Sequence, residues 1–336
     1  MSTTARTTRR TAGSAAVAAA SFLLLAGAGI LAAPTAYAGI PGGTSAADRN
    51  SDFNGDGYTD LVTGVPGGTV DGREGAGYVN VQYGAPNGIG TNTTVPKGRV
   101  ELISQSSKGV PGTSETGDRF GQAVATGDLD GDGYDDLAVG QLGGVDETAD
   151  DAAGGLVGVY YGGEDGPSGT EGPGTAPQWW SQNSPGVPGA GELDDSWGNE
   201  LSVADVDGDG CADVAVGAPG EDADGEAAAG AVSLLRGSQA GLTGTGSQYF
   251  DQNTPKIPGA AESGDGWGAQ VRLVDTDGDG RAELVAAAPE ENAGDGAVWI
   301  LPASGSGLLA DGSRSYGAAA LGGNAHGAHF GSVIDE

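Results

Sequence analysis

Acidic side chains recur in this chain at fixed intervals, in four nine-residue stretches. Positions 1, 3, 5 and 9 hold Asp52, Asn54, Asp56 and Asp60 in the first stretch, and Asp128, Asp130, Asp132 and Asp136 in the second. The third has Asp205, Asp207, Asp209 and Asp213, and the fourth Asp275, Asp277, Asp279 and Glu283. Position 6 is glycine each time: Gly57, Gly133, Gly210 and Gly280. Carboxylates about 4 Å apart repel by roughly 4 kcal/mol per pair at a surface-like dielectric. A hard divalent cation with oxygen ligands reverses that sign, and glycine at position 6 permits the sharp turn that gathers the ligands. The pattern therefore points to Ca²⁺, in up to four sites. An EF-hand would need an acid at position 12, which here is Thr63, Val139, Val216 or Ala286. Mg²⁺ fits a crowded all-protein cage poorly. Asn54 removes a charge from the first loop, and the fourth has a longer Glu283 and the nearby Arg281. The second and third loops are thus expected to bind most tightly.

Short strand-like runs flank each loop. In one unit these are Phe120–Thr126, Asp136–Gly140, Leu156–Tyr161 and Gln178–Gln182, each bounded by Gly, Pro, Asp or Asn. After the N-terminal segment, no stretch sustains a 3.6-residue apolar period. The loops start 76, 77 and 70 residues apart. Two further markers keep step with them. An aromatic-Gly pair (Phe120-Gly121, Trp197-Gly198, Trp267-Gly268) places its glycine seven residues before the loop. An apolar-Pro-Gly turn (Val110-Pro111-Gly112, Val187-Pro188-Gly189, Ile257-Pro258-Gly259) places its glycine eight residues before the aromatic. Tandem four-stranded units predict an all-β propeller of antiparallel blades. The first loop has no aromatic-Gly pair before it, and the last such pair, Phe330-Gly331, has no loop after it. His329–Ile334 is therefore expected to supply the missing first strand of the first blade, the alternative being truncation of a longer array.

The N-terminus reads as a cleaved secretory signal over residues 1–38. Arg6, Arg9 and Arg10 precede an apolar run from about Ala15 to Ala33, and Ala36-Tyr37-Ala38 places small residues at the cleavage site. Thr11 and Ala12 after Arg9-Arg10 favour the Sec route over twin-arginine export. Residues 39–51 read as a linker and 52–336 as the propeller domain, in a protein expected to be secreted with no membrane span in its mature part. The formal net charge of −32 argues against nucleic acid or anionic lipid as a partner. Cation binding confined to the folded state would offset this charge and the backbone entropy of 67 glycines. A single cysteine, Cys211, excludes an internal disulfide framework.

The motifs together resemble FG-GAP repeats: the aromatic-Gly pair, the acidic loop, and Gly217-Ala218-Pro219 after it, which is Gly64-Val65-Pro66, Gly140-Gln141-Leu142 and Ala287-Ala288-Pro289 elsewhere. Such repeats build the β-propeller of integrin α subunits and of many secreted bacterial proteins. The resemblance spans about Asp52 to Gly331, with four units where the family usually closes seven. It implies Ca²⁺ in the hairpin between the first two strands of a blade, with position 7 giving a backbone carbonyl: Tyr58, Tyr134, Cys211 or Arg281. It also implies an adhesion or ligand-binding module, with a protein or glycan on the face opposite the calcium loops. FG-GAP repeats accompany secreted hydrolases too, so an enzyme or its accessory domain is the alternative, and a partial propeller completed by oligomerisation a third. No nucleophile elbow, zinc-protease motif, phosphate loop or dinucleotide fingerprint is present, and no catalytic residue is assigned. Trp179, Trp180, Tyr249 and Phe250 are read as blade packing ahead of a ligand groove. His326 and His329 are read as surface-loop residues ahead of a metal pair. The acidic segments Asp146–Asp151 and Glu221–Glu226 are read as solvated ahead of partner-binding.

Overall fold

The structure is a computed structural model that describes residues 51–89, 100–110, 112–143, 154–167 and 176–334. All of them belong to one compact unit. The expected N-terminal signal and the segment Asp146–Asp151 lie outside the described residues.

Four antiparallel sheets follow one another along the chain. The first contains β1 (Leu61–Val65), β2 (Tyr78–Gln82) and β3 (Val100–Ile103). The second contains β4 (Val124–Gly127), β5 (Asp136–Gln141), β6 (Leu156–Tyr160) and β7 (Gln178–Trp180). The third contains β8 (Glu200–Ala204), β9 (Asp213–Ala218), β10 (Ala231–Arg236) and β11 (Thr243–Phe250). In the fourth, β12 (Gln270–Val274), β13 (Glu283–Ala288) and β14 (Ala297–Leu301) are followed by a small hairpin of β15 (Ala303–Ser304) and β16 (Gly307–Leu308) before β17 (Arg314–Gly317) completes the sheet. Each sheet is a simple meander, the propeller-blade pattern that the spacing of strand and turn residues predicts. In the second, third and fourth sheets the acidic loop closes the hairpin between first and second strands, and in the first sheet it leads directly into β1. Register pairs Gly127 with Asp136, Ala204 with Asp213 and Val274 with Glu283, so position 9 is the first residue of the second strand.

The second strands β5, β9 and β13 are buried along their whole length, as strands covered on both faces must be. The core lies between successive blades. Phe120 is enclosed by Val79, Val81 and Tyr83 of the first sheet and Leu137 and Val139 of the second. Trp267 and Trp299 of the fourth sheet meet edge to face, centroids 6.3 Å apart, beside Val232, Leu234 and Phe250 of the third. Trp197 is fully buried among the second and third sheets, with its Nε1 donating to Ser233 Oγ at 3.1 Å. The aromatic of each aromatic-Gly pair is thus an inter-blade wedge, burial worth about 1.5–3 kcal/mol for a large apolar side chain.

The rest of the motif has a steric cause. A Cβ on Gly64, Gly140 or Gly217 would collide with the carbonyl oxygen of Gly121, Gly198 or Gly268, the glycine that follows the wedge of the next blade. Those three glycines in turn have φ of 85, 93 and 89°, where side chains are strained. At these three junctions two backbones therefore meet with no side chain between them, whereas at the fourth Ala287 stands at the matching position, facing Gly331.

One expectation at the ends is corrected. His329–Ile334 forms turns, not a strand, and does not pair with β1. Instead, His329 and Phe330 donate backbone N–H to Gly294 O and Asp295 O at 2.9 and 3.1 Å, and Phe330 packs against Tyr316 of β17. Trp267 makes the same kind of contact, its N–H donating to Ala229 O at 2.8 Å. Phe330 is therefore the next wedge in line, seated on the fourth blade. The first sheet keeps three strands among the described residues, and Leu61 of β1 is 43% exposed, unlike the second strands of the other blades.

Candidate metal sites in the acidic hairpins

Within each loop, carboxylate oxygens collect backbone N–H groups and so fold the turn. Asp128 Oδ1 accepts from Asp132 N at 3.1 Å and Oδ2 from Gly133 N at 3.1 Å. Asp205 accepts from Gly208 N and Gly210 N at 2.7 and 3.0 Å, and Asp275 from Gly278 N and Gly280 N at 2.7 and 2.9 Å. In the first loop Asp52 accepts from Asp56 N and Gly57 N, and Asn54 Oδ1 also accepts from Asp56 N. Position 5 (Asp56, Asp132, Asp209, Asp279) accepts the N–H of position 7 (Tyr58, Tyr134, Cys211, Arg281) at 2.9–3.0 Å. Position 9 ties the loop to the sheet. Asp136 accepts from Leu129 N and Gly162 N, Asp60 from Phe53 N and Gly84 N, and Asp213 from Val206 N and Gly237 N. Glu283, one methylene longer, accepts from Thr276 N at 2.8 Å.

The result is a convergence of oxygens. Asp128, Asp130 and Asp136 can each place a carboxylate oxygen within 4.8 Å of the others, as can Asp205, Asp207 and Asp213. The fourth loop, expected to be weak, is the one in which all four acids, Asp275, Asp277, Asp279 and Glu283, converge in this way. These three clusters could hold a metal ion. Their donors are oxygens alone, and each carboxylate oxygen has two acceptor positions, so a backbone N–H need not exhaust it. Burial pushes the Asp60 and Asp213 carboxyls up to about 7, even against their two N–H donors, and Asp136 well above the ordinary range. Asp52 is likewise raised by burial. Asp275 on the open fourth loop is lowered instead, its slight burial outweighed by the N–H groups of Gly280 and Gly278. A buried, crowded carboxylate calls for a cation or a proton.

Neighbouring loops touch through side chains whose positions the sequence marked only for their backbone carbonyls. The ring of Tyr134 lies over Gly55 of the preceding loop, Cys211 Sγ over Gly131, and the Arg281 side chain over Gly208. Position 7 of one loop thus covers position 4 of the one before. The signal was glycine at every position 4, beside glycine at position 6. Cys211 is buried and free, and burial raises its thiol to about 11, which suits a packing role.

A second missed residue is Arg236 at the end of β10. Its guanidinium forms ion pairs with Asp207 through Nη2 and with Asp213 through Nε. A third feature is a glutamine just after the last strand of a blade. Gln182 Nε2 donates to Glu221 Oε2 at 2.5 Å and Gln252 Nε2 to Glu291 Oε2 at 2.6 Å, linking one blade to the next. Gln105, Gln182 and Gln252 fall at matching positions, a register that was legible in the sequence.

Other candidates resolve plainly. Trp179 packs against Phe120 and Tyr160, Trp180 against the second core cluster, and Phe250 is buried, so these aromatics serve blade packing. His326 and His329 are exposed and lie beside different acids, Asp295 and Glu290. Glu221 is buried, while Asp224 and Glu226 accept from Asn253 and Ser263 of the connection to the fourth blade. Among the described residues no helix is long and apolar enough to cross a membrane.

Blades of antiparallel strands joined by oxygen-rich hairpins define a propeller-like repeat protein. The FG-GAP repeat model matches residues 50–80, 120–169, 197–235 and 267–301, and the chain is an FG-GAP repeat protein. It is similar to phosphatidylinositol-glycan-specific phospholipase D of Bos taurus, 33% identical over 173 residues. The proteins of that description from Rattus norvegicus and Homo sapiens are 32% and 31% identical over 175 and 173 residues. Each match covers 51% of this chain and 18% of the relative, so the chain spans under a fifth of these relatives' length.

Proposed function

We propose that this chain is a secreted, calcium-binding FG-GAP module that acts in adhesion or ligand capture. The ions fasten the hairpins between first and second strands. The face opposite, made by the other loops and the connections between blades, takes a protein or glycan. The observation that carries this reading is the convergence of carboxylate oxygens in the second, third and fourth hairpins. The cleavable-signal pattern of residues 1–38 supports export to a compartment where calcium is abundant. The expected ligands are the side chains at positions 1, 3, 5 and 9 of each loop, with the carbonyls of Tyr58, Tyr134, Cys211 and Arg281. Calcium's contribution is structural: it neutralises the loops and stabilises the folded state by mass action.

The test is thermal melting in chelator and in millimolar calcium, with calorimetry to count ions. A higher melting temperature with calcium and uptake of up to four ions is expected. Identical melting and no uptake would falsify the reading. A pull-down against extracellular proteins and a glycan array then identifies the ligand.

A second reading is favoured by the exposed β1: a strand from another copy completes the first blade. Light scattering decides it, with a strict monomer excluding it. The phospholipase named among the relatives motivates a third reading, a hydrolase or an accessory domain of one. Turnover on a substrate panel, abolished by a single carboxylate substitution, would establish that reading.

A further inference from the structure

The third acidic loop differs from the others in what enters it. The residue before the glycine that caps position 9 is Tyr83 in the first blade, Tyr161 in the second and Arg236 in the third. The two tyrosines turn their hydroxyls away, Tyr83 to Glu101 and Tyr161 to Gln178. Arg236 turns inward to Asp207 and Asp213, two of the three acids that converge in this loop. Its direction is set by the backbone. The β10–β11 register shifts between Leu234 and Arg236, a bulge that re-aims the side chain at the strand end. The Arg236 side chain is only 11% exposed, and its stem lies against Gly246. A second guanidinium arrives from the next loop, where Arg281 Nε donates to Asp207 O at 3.4 Å.

A guanidinium and a divalent cation cannot both sit among these carboxylates without strong repulsion. The planar fork of arginine satisfies carboxylates geometrically as well as electrostatically, and it does not lose its proton. We propose that Arg236 is the built-in cation of the third loop: it neutralises Asp207 and Asp213 in place of a metal and keeps calcium out. This inference rests on the calcium reading of the acidic hairpins. It reverses the sequence-based expectation that the third loop binds among the tightest.

Calcium counted by calorimetry and equilibrium dialysis tests it. Arg236→Met, which keeps length and removes charge, is expected to bind one more ion than the unaltered chain, with at least tenfold higher affinity at that added site. Asp207→Asn in the otherwise unaltered chain is expected to leave the number of bound ions unchanged, a result that does not depend on the folding of Arg236→Met. Loss of one ion in Asp207→Asn overturns the inference, because the loop then holds calcium despite the arginine. A folded Arg236→Met that gains no ion overturns it too, because something other than the arginine excludes the metal. If neither the unaltered chain nor Arg236→Met takes up any calcium, the inference falls together with the reading beneath it.

Discussion

The backbone amide of Ala282 donates to the carbonyl of Asp205 at 3.0 Å, tying the fourth acidic loop to the third. Ala212 and Asp128 repeat the bond at 2.8 Å, and Asp135 and Asp52 at 3.2 Å. The four hairpins therefore form a chain in which position 8 of each loop rests on position 1 of the one before. Disturbing one loop should be felt in the next. Asp205→Ala removes the acceptor of Gly208 N and Gly210 N and so loosens the turn. Hydrogen exchange should then quicken at the Ala282 amide, in a loop whose sequence is untouched. Unchanged exchange at Ala282 would mean that the loops are independent.

The inter-blade carboxyl pairs give a pH dependence of known sign. Burial, then the nearby Asp195, pushes Glu221 up to about 7, against the Gln182 amide that favours its charged form. Asp195 is itself raised, first by burial, and Glu192, Asp222 and Tyr249 also face the pair. Glu291 is pushed up to about 7 in the same way beside Asp265 and Gln252. Between the ordinary carboxylate range and pH 7 the folded protein holds protons that the unfolded chain has released. Stability from these pairs is full at acid pH and is lost as pH rises through about 7. At saturating calcium the melting temperature should fall between pH 5 and pH 8. Glu221→Gln combined with Glu291→Gln should flatten that slope, while a slope unchanged in the double variant would assign it elsewhere.

Much of this architecture was legible because the repeat is dictated locally. A carboxylate that collects its own loop's N–H groups acts within that loop, and the wedge aromatic with its positive-φ glycine, though it packs against the blade before, stands at a fixed distance from the loop, so together they leave a fixed spacing. The strand at His329–Ile334 failed because it assumed a distant partner. Phe330 satisfies its wedge role on the fourth blade through Asp295 and Tyr316, with no strand required. Arg236 and the glutamine–glutamate links were missed for a related reason. Their partners lie 39 residues away for Gln182 and Glu221, and a bulge decides where Arg236 points. The bulge leaves no mark in the spacing, whereas the 39-residue interval, which Gln252 and Glu291 share, does.

The close approach of Gly217 to Gly268 predicts a costly substitution. A Cβ at residue 217 would strike the Gly268 carbonyl oxygen, and the backbone on both sides is held by hydrogen bonds, Gly198 N to Gly217 O at 3.0 Å and Gly268 N to Ala287 O at 2.9 Å. Neither partner is the free end of a side chain that can swing away. Gly217→Ala should therefore destabilise by about 1–3 kcal/mol, as overpacking does. Gly67, whose added Cβ meets nothing within 4 Å, is the control, and Gly67→Ala should be near neutral. Equal urea midpoints for the two variants would refute the steric account of the motif.

Asn54 makes the first loop the sharpest test of what holds these hairpins. It is buried, its Oδ1 accepts from Asp56 N, and its Nδ2 has no partner, so the amide contributes an oxygen to the loop and little else. Asn54→Asp keeps that oxygen and adds a negative charge beside Asp52, Asp56 and Asp60. Without metal, each new contact near 4 Å costs on the order of 4 kcal/mol at a surface-like dielectric before relaxation and screening reduce it. With a dication in the loop the same charge is attractive, and the sign of the substitution inverts. Asn54→Asp should melt several degrees below the unaltered chain in chelator and above it in millimolar calcium, with tighter binding in one site. A shift of the same sign in both conditions would show that the first loop is an acidic turn whose stability owes nothing to a bound ion.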